Sequence, residues 1–354
     1  HLELVEVMYL CGDFDQMETF ADTVLQQARS DLDKVKIYEV RVQAYIGQAL
    51  LLKAIQTARE GLSLFDVELP EKPTPAEVAH ALAETATQWQ TAPISELVHL
   101  PRMTAANRLA AARLLSIIMP ASYQGMPELF PLIVSKMINL SIEHGNSELS
   151  PFLYACYGMF LCGAMEIEAG YQFGQLAIQV LEHLNVQVHR ARALEIVNGF
   201  INPWKEHLSL PSQRLKEIYP LGIEEGDVEF AGYAALIYCE YAYFSGLLLL
   251  ELEPIQASYV PVLTQLKQNT SVNYLKIYWQ TTISLLRLVS PQSDSATDLA
   301  EESKKLLMAL QQAKDSYGLF NFYTNRLCLC YLVHEPNQAL ENARLAKHYP
   351  AASK

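Results

Sequence analysis

The residue types that carry out catalysis occur in this sequence without the spacing that their chemistry needs. A phosphate-binding loop requires a glycine-rich turn that ends in Lys and Ser or Thr. Gly158 and Gly163 have the right separation, but Ala164 follows them. The serine nucleophile elbow, the kinase catalytic-loop triplet and the paired-histidine zinc helix are also missing from the sequence. We therefore expect no catalytic residue and no cofactor in these 354 residues.

The histidines and cysteines do not group in a way that predicts a metal site. The histidines nearest in sequence, His183 and His189, straddle the end of a predicted helix, and no third or fourth ligand stands near them. Cys328 and Cys330 are two residues apart, which places them on different faces of a helix. We interpret all of these side chains as structural and expect no metal ligand.

One short segment, Asn202-Pro-Trp-Lys-Glu-His207, combines an aromatic ring, a cation and an imidazole near a predicted helix end. Its candidate partner-binding residues are Trp204, Lys205 and His207, with the indole as the anchor. The structural alternative is that Trp204 fills a wide gap between neighbouring helix pairs.

The tyrosines, 19 in all, concentrate in the middle of the chain and admit two interpretations. They line a concave groove that binds a small molecule or a peptide, or they are core residues whose hydroxyl groups reach helix ends. The residues in question are Tyr233, Tyr238, Tyr241, Tyr243, Tyr274 and Tyr278.

The elements that position these residues are predicted to be helices, because apolar residues recur at helical spacing. A helix-turn-helix phrase occupies residues 10–28 and returns, with variations, at residues 46–62 and 331–346. One such pair cannot bury its apolar face alone, so recurring pairs must stack. We predict an all-α fold: a superhelical, tetratricopeptide-like solenoid of antiparallel helix pairs.

Proline, glycine and polar residues mark where the predicted helices begin and end. Thr104 is the expected N-cap of an alanine-rich helix, and Pro120 and Pro127 bracket the turn that follows it. We expect one continuous array over residues 1–354, with residues 66–75 and the exposed loop 290–298 as candidate boundaries. The predicted helices span residues 2–11, 15–30, 33–48, 50–64, 75–91, 104–118, 127–143, 150–165, 168–184, 189–208, 211–224, 227–245, 252–267, 270–289, 297–314, 317–333 and 336–348.

Composition restricts the partners and the location of the protein. The net charge of -13 disfavours nucleic acid and anionic membrane surfaces. The apolar stretch 230–250 nearly suffices for a bilayer, but Glu240 stands at its centre, so we predict a buried helix pair broken at Ser245-Gly246. The six cysteines lie in apolar helical segments, which favours reduced, buried thiols in a cytoplasmic protein.

Six phrases, in order, resemble the helical-repeat region of large bacterial, especially cyanobacterial, signalling kinases. Those proteins place a serine/threonine protein kinase domain and a P-loop ATPase before a tetratricopeptide-like stretch, often followed by a GAF domain and a histidine kinase. The phrases are Leu10-Cys-Gly-Asp-Phe14, Leu100-Pro-Arg-Met-Thr104, Gly145-Asn-Ser147, Gly170-Tyr-Gln-Phe-Gly174, Trp204-Lys-Glu-His207 and Gly226-Asp-Val-Glu-Phe-Ala-Gly232. The resemblance implies that this chain is a segment of a longer protein whose kinase and ATPase motifs lie outside it.

Two functions follow as expectations. The first is a non-catalytic interaction and relay module that contacts a protein partner or the flanking kinase and ATPase domains. The alternative is a sensor that binds a small molecule or a peptide in the superhelical groove.

Overall fold

A computed structural model describes residues 2–48, 50–91, 93–289 and 299–349. The secondary structure of these residues is helical, and the β interaction among them is one isolated bridge between Arg102 and Asn146. Helices that follow one another along the chain pack together in pairs. The predicted all-α fold is confirmed, and the predicted loop 290–298 lies outside the described residues.

The chain divides into two compact units, His1–His189 and Arg190–Lys354. The predicted boundary region 66–75 lies within the first unit, and the single array over residues 1–354 stays a prediction. The helices of the first unit are α1 Leu2–Cys11, α2 Phe14–Gln27, α3 Asp31–Gly47, α4 Leu51–Ser63, α5 Pro75–Trp89, α6 Ala106–Gly125, α7 Phe130–His144, α8 Ser150–Gly163 and α9 Ile167–His183.

The second unit begins with a short helix that changes into irregular turns. The helices of this unit are α10 Arg190–Ile196, α11 Ser209–Glu224, α12 Val228–Phe244, α13 Leu249–Gln265, α14 Asn269–Val289, α15 Leu299–Gln312, α16 Ser316–Leu332 and α17 Pro336–Ala346. Between α10 and α11 the backbone forms a π turn, Val197–Ile201, and a 3-10 turn, Asn202–Trp204.

The start and end of α6 differ from the prediction. Ala105 is the N-cap and no side chain caps the helix, so the capping role of Thr104 is wrong. Pro120 lies inside the helix rather than in a turn. Ile118, Met119 and Ala121 around it are buried, and this packing outweighs the hydrogen bond that proline removes.

The predicted helix 189–208 is interrupted because of one proline. In an α-helix the amide of residue 203 would donate to the carbonyl oxygen of Gly199, but Pro203 has no amide hydrogen. The hydroxyl group of Tyr241 donates to that carbonyl oxygen instead. The chain therefore leaves the α conformation through the π turn and the 3-10 turn.

In the first unit, two of the six phrases, residues 100–104 and 145–147, are hydrogen-bonded to each other. The amide of Met103 donates to the Asn146 carbonyl oxygen over 2.8 Å, and the amide of Asn146 donates to the Pro101 carbonyl oxygen over 2.8 Å. The Tyr154 hydroxyl group donates to Asn146 Oδ1 over 2.8 Å. Gly145 adopts a φ of +96°, and a Cβ there would lie 2.0 Å from the Pro101 carbonyl oxygen. Phrases 100–104 and 145–147 thus have a structural role.

The predicted break in the apolar stretch 230–250 is confirmed. Helix α12 ends at Phe244, and Gly246 adopts a φ of +83° before α13 begins. Among the described helices, none combines the length and apolar character that crossing a membrane needs. The six cysteines form no disulfide bond, and four of them are buried as predicted, but Cys11 and Cys328 are exposed.

Candidate functional site

The irregular backbone after α10 brings large apolar side chains to the surface. Phe200 in the π turn is 43% exposed, and Trp204 in the 3-10 turn is 46% exposed. Leu210, at the start of α11, is 48% exposed. The partly exposed indole of Trp204 favours the binding interpretation over the packing alternative.

The other two candidate partner-binding residues are also at the surface. Lys205 and His207 are exposed. His207 Nδ1 accepts from the Ser209 amide over 3.3 Å and lies 2.9 Å from Ser209 Oγ, which fixes the imidazole ring at the N-terminal end of α11. The structure thus places Trp204, Lys205 and His207 on one short exposed segment, and their binding role stays a prediction.

A polar network beneath this segment joins it to α11. Arg214 Nη1 donates to Glu206 Oε2 over 2.7 Å and lies 3.4 Å from Asn198 Oδ1. Asn202 Nδ2 donates to the same Asn198 oxygen over 3.0 Å. The network spans the π turn, the 3-10 turn and α11, so the exposed segment has a defined geometry.

A buried carboxyl group lies directly before the π turn. Glu195 is 1% exposed, and its Oε2 has no hydrogen-bond partner among the described residues. Burial, and secondarily the charges of Asp227 and Glu229, raise the pKa of Glu195 to about 8. A Cβ on Gly199 would lie 3.5 Å from Glu195 Oε1. The carboxyl group is therefore packed against the turn, and its raised pKa favours the protonated form at neutral pH.

The acidic side chains near Glu195, Asp227 and Glu229, belong to the last of the six phrases, residues 226–232. Asp227 forms an ion pair with Arg192, whose guanidinium lies 5.1 Å from the centre of the Phe230 ring. Glu229 accepts a hydrogen bond of 3.0 Å from the Tyr233 hydroxyl group, and burial raises the pKa of Glu229. Sequence reasoning missed Glu195, although an acidic residue among the apolar positions of 191–197 was a usable signal.

Four of the six central tyrosines, Tyr233, Tyr241, Tyr274 and Tyr278, use their hydroxyl groups internally. Tyr278 donates to Glu240 Oε1 and Tyr274 donates to Asp315 Oδ1, each over 2.9 Å. Tyr278 is 2% exposed, and burial raises the pKa of Glu240. These contacts favour the core interpretation of the tyrosines over the groove interpretation.

The structure assigns His183 a different neighbour from the one the sequence suggests. Its ring centre lies 5.9 Å from that of His99, an edge-to-face contact between α9 and the 3-10 helix Ile94–His99. Across the described residues, no group of three or more His, Cys, Asp or Glu side chains could hold a metal ion.

A cavity of about 330 Å³ lies between α14, α15 and α16. Phe322 and Ile277 supply apolar surface, and Gln280 and Ser303 supply polar groups. Arg326 is the charged side chain among the described residues that line it, and its Nη1 donates to Ser303 Oγ over 3.3 Å.

Comparison with known proteins relates part of this chain to a signalling protein. No family model matches the chain. The hybrid signal transduction histidine kinase G of Dictyostelium discoideum is 26% identical over 196 residues. The match covers 54% of this chain and 5% of the length of that protein. The similarity thus concerns a small part of a much larger protein.

Proposed function

We propose that this chain is a non-catalytic helical-repeat module that relays signals through protein contacts. The similarity over 196 residues to a signal transduction histidine kinase supports a signalling role. The packed helix pairs are compatible with a tetratricopeptide-like solenoid, an architecture that presents long binding surfaces. In this proposal the module is cytoplasmic and belongs to a longer protein with kinase and ATPase domains.

The observation that carries the proposal is the exposed Trp204 segment. Tryptophan is enriched among the residues that dominate binding energy at protein interfaces. A 46% exposed indole on a turn held by the Arg214 network loses little conformational freedom when a partner binds. Trp204, Lys205 and His207 would contact a protein partner or a neighbouring domain of the same protein.

A binding assay tests this function. The full chain is used as bait for the separately expressed kinase and ATPase domains of its parent protein, with and without ATP. We expect one of them to bind, and Trp204→Ala to weaken that binding about tenfold or more. Tyr331→Ala is the matched control, because Tyr331 is a 75% exposed aromatic residue of the same unit. Equal binding by the wild type, Trp204→Ala and Tyr331→Ala would contradict the role of the Trp204 segment.

The cavity between α14, α15 and α16 favours a second candidate function, a sensor of small molecules. Its volume of about 330 Å³ falls at the lower end of ligand sites. A single arginine among polar and apolar side chains suits a small organic anion. A rise in melting temperature with an anionic ligand, lost in Arg326→Ala, would support this function.

A further inference from the structure

We propose that helix α5 is a hinged lid on α7, which opens and closes while the rest of the first unit stays folded. Helix α5 spans Pro75–Trp89 and α7 spans Phe130–His144. When the lid is open, the face of α7 that carries Ser135 and Asn139 becomes accessible. The lid belongs to the first unit, whereas the Trp204 segment belongs to the second.

Helix α5 stands outside the packing that holds its neighbours together. Helix α6 packs on α3 and α4, which precede α5 in the chain, whereas α5 packs mainly on α7. The contact of α4 with α6 and α3 is close, because a Cβ on Gly61 would lie 2.7 Å from Leu114 Cδ2 and 3.0 Å from Tyr38 Cβ. Movement of α5 away from α7 leaves these contacts intact.

The face of α5 that packs on α7 buries little apolar surface. Among the residues of this helix, Thr85 alone is buried. Val78, Leu82 and Trp89 are half-buried and share a face with Thr85 at helical spacing. Because burial of apolar area is the main driving force for docking, α5 is held less firmly than the helices of the core.

Four buried polar atoms between α5 and α7, called here the polar interface, have no hydrogen-bond partner among the described residues. They are Thr85 Oγ1, Gln88 Oε1, Ser135 Oγ and Asn139 Oδ1. Ser135, Asn139 and Glu143 are four residues apart and share one face of α7. Gln88 Nε2 lies 3.5 Å from Glu143 Oε1, which places this face against α5. Docking of α5 is therefore weakened, because these atoms give up hydrogen bonds to water.

The two ends of α5 are held differently, which defines the hinge. Trp89 Nε1 donates to the Tyr157 hydroxyl oxygen over 3.1 Å, and the Trp89 ring meets that of Phe173 edge to face at 5.5 Å. Before α5, the Leu69 carbonyl oxygen accepts from Arg59 Nε over 2.9 Å. The link 70–74 has no buried residue and reaches about 17 Å when extended. The N-terminal end of α5 therefore swings outward while Trp89 stays in place.

Cysteine labelling of the full chain tests the lid. Ser135 is 1% exposed beneath α5, whereas Ser141 of the same helix is 0% exposed and its Oγ lies 3.1 Å from Ser150 Oγ of α8. Ser135→Cys and Ser141→Cys are each made in a chain whose exposed Cys11 and Cys328 are replaced by Ser. We expect Ser135→Cys to react with a thiol reagent at least about tenfold faster, because the lid opens more often than the whole unit unfolds.

A further variant connects the opening to the polar interface. Thr85→Val replaces the unpaired hydroxyl group with a methyl group and should stabilise the closed lid. We expect it to slow the labelling of Ser135→Cys at least about threefold and to leave that of Ser141→Cys unchanged. Thr87→Val, at an exposed position of α5, is the matched control. Unchanged or faster labelling in Thr85→Val would overturn the inference, because the Thr85 hydroxyl group would then not weaken the closed state.

Hydrogen exchange measured by mass spectrometry tests the same motion in the unsubstituted chain. An isolated helix of 15 residues is marginal in water, so α5 loses amide protection when it leaves α7. We expect the amides of α5 to exchange at least about tenfold faster than those of α7. Equal labelling rates for Ser135→Cys and Ser141→Cys, or equal amide protection of α5 and α7, would overturn the inference.

Discussion

The Glu195 carboxyl group makes the stability of the second unit depend on pH. Its pKa is about 8 in the folded protein, against an ordinary value of 4.5, so the folded state holds a proton that the unfolded state releases. The contribution of protonated Glu195 to the free energy of unfolding is complete below about pH 4.5 and is lost as the pH rises to about 8. Glu195→Gln removes the ionisation and keeps the shape of the side chain.

We expect Glu195→Gln to reduce the loss of stability between about pH 5 and pH 8, and to stabilise the protein near pH 8 by on the order of 2 kcal/mol. Urea denaturation at a series of pH values measures both effects. Glu229 and Glu240, whose pKa values burial also raises, keep part of the pH dependence in the variant. Glu217→Gln, at an exposed position of α11, is the control. A pH dependence identical to that of the wild type would contradict the role of Glu195.

The hydroxyl group of Tyr278 is the donor for a buried carboxyl group. Tyr278→Phe leaves Glu240 Oε1 without this donor, and we expect a loss of about 1–3 kcal/mol in the free energy of unfolding. Tyr331→Phe removes a hydroxyl group from a 75% exposed residue and should change the stability by less than about 0.5 kcal/mol. Equal stability of the two variants in urea denaturation would show that the hydrogen bond contributes little.

Individual side chains were the hardest features to predict from the sequence. The aromatic ring, cation and imidazole close together in sequence identified the Trp204 segment as unusual. The exposure of the indole could not be predicted, because it depends on the π turn. Glu195 was missed, since its burial results from packing against α12, which comes about 30 residues later. The tyrosine roles required knowing which carboxylates face them, for example Asp315 opposite Tyr274.

At the scale of elements, α8 and α9 approach closely because of one glycine. A Cβ on Gly170 would lie 2.5 Å from Cys162 Sγ and 2.7 Å from the Gly158 carbonyl oxygen. We expect Gly170→Ala to destabilise the protein by about 1–3 kcal/mol, because the helices must move apart. Thermal unfolding followed by circular dichroism measures the change.

A second glycine provides the control for this contact. Gly163 is the last residue of α8, and a Cβ there meets no described atom within 4 Å. Gly163→Ala should therefore be neutral or stabilise the protein by up to about 1 kcal/mol. A Gly170→Ala protein as stable as Gly163→Ala would mean that the two helices adjust without cost.

The helices themselves could largely be predicted, because apolar periodicity and capping residues are local signals. Thr74 forms the capping box that starts α5, and Pro336 opens α17 as predicted. The prediction failed where tertiary contacts decide the conformation. Packing keeps α6 helical through Pro120, and Tyr241 completes the hydrogen bonding of the π turn from a distant helix.

At the scale of the whole molecule, each unit has a hydrophobic core of its own. Val5, Met17 and Ile37 belong to a cluster within the first unit, whereas Leu215 and Leu275 belong to a cluster within the second. We expect fragments 1–189 and 190–354 each to fold and to unfold cooperatively in urea. A fragment with helical circular dichroism but no sigmoidal transition would contradict independent folding. A division at residue 189 could not be predicted, because composition and helical spacing continue across it.

The π turn also affects how the exposed Trp204 segment can be identified in the sequences of homologues. A π turn usually corresponds to one extra residue in a helix, and each residue rotates the side chains that follow by about 100°. The same letters Asn-Pro-Trp-Lys-Glu-His after an uninterrupted helix would point the indole in another direction. A homologue therefore keeps the exposed Trp204 segment only if it has both the motif and the π turn, since together they set the direction of the indole relative to Glu195.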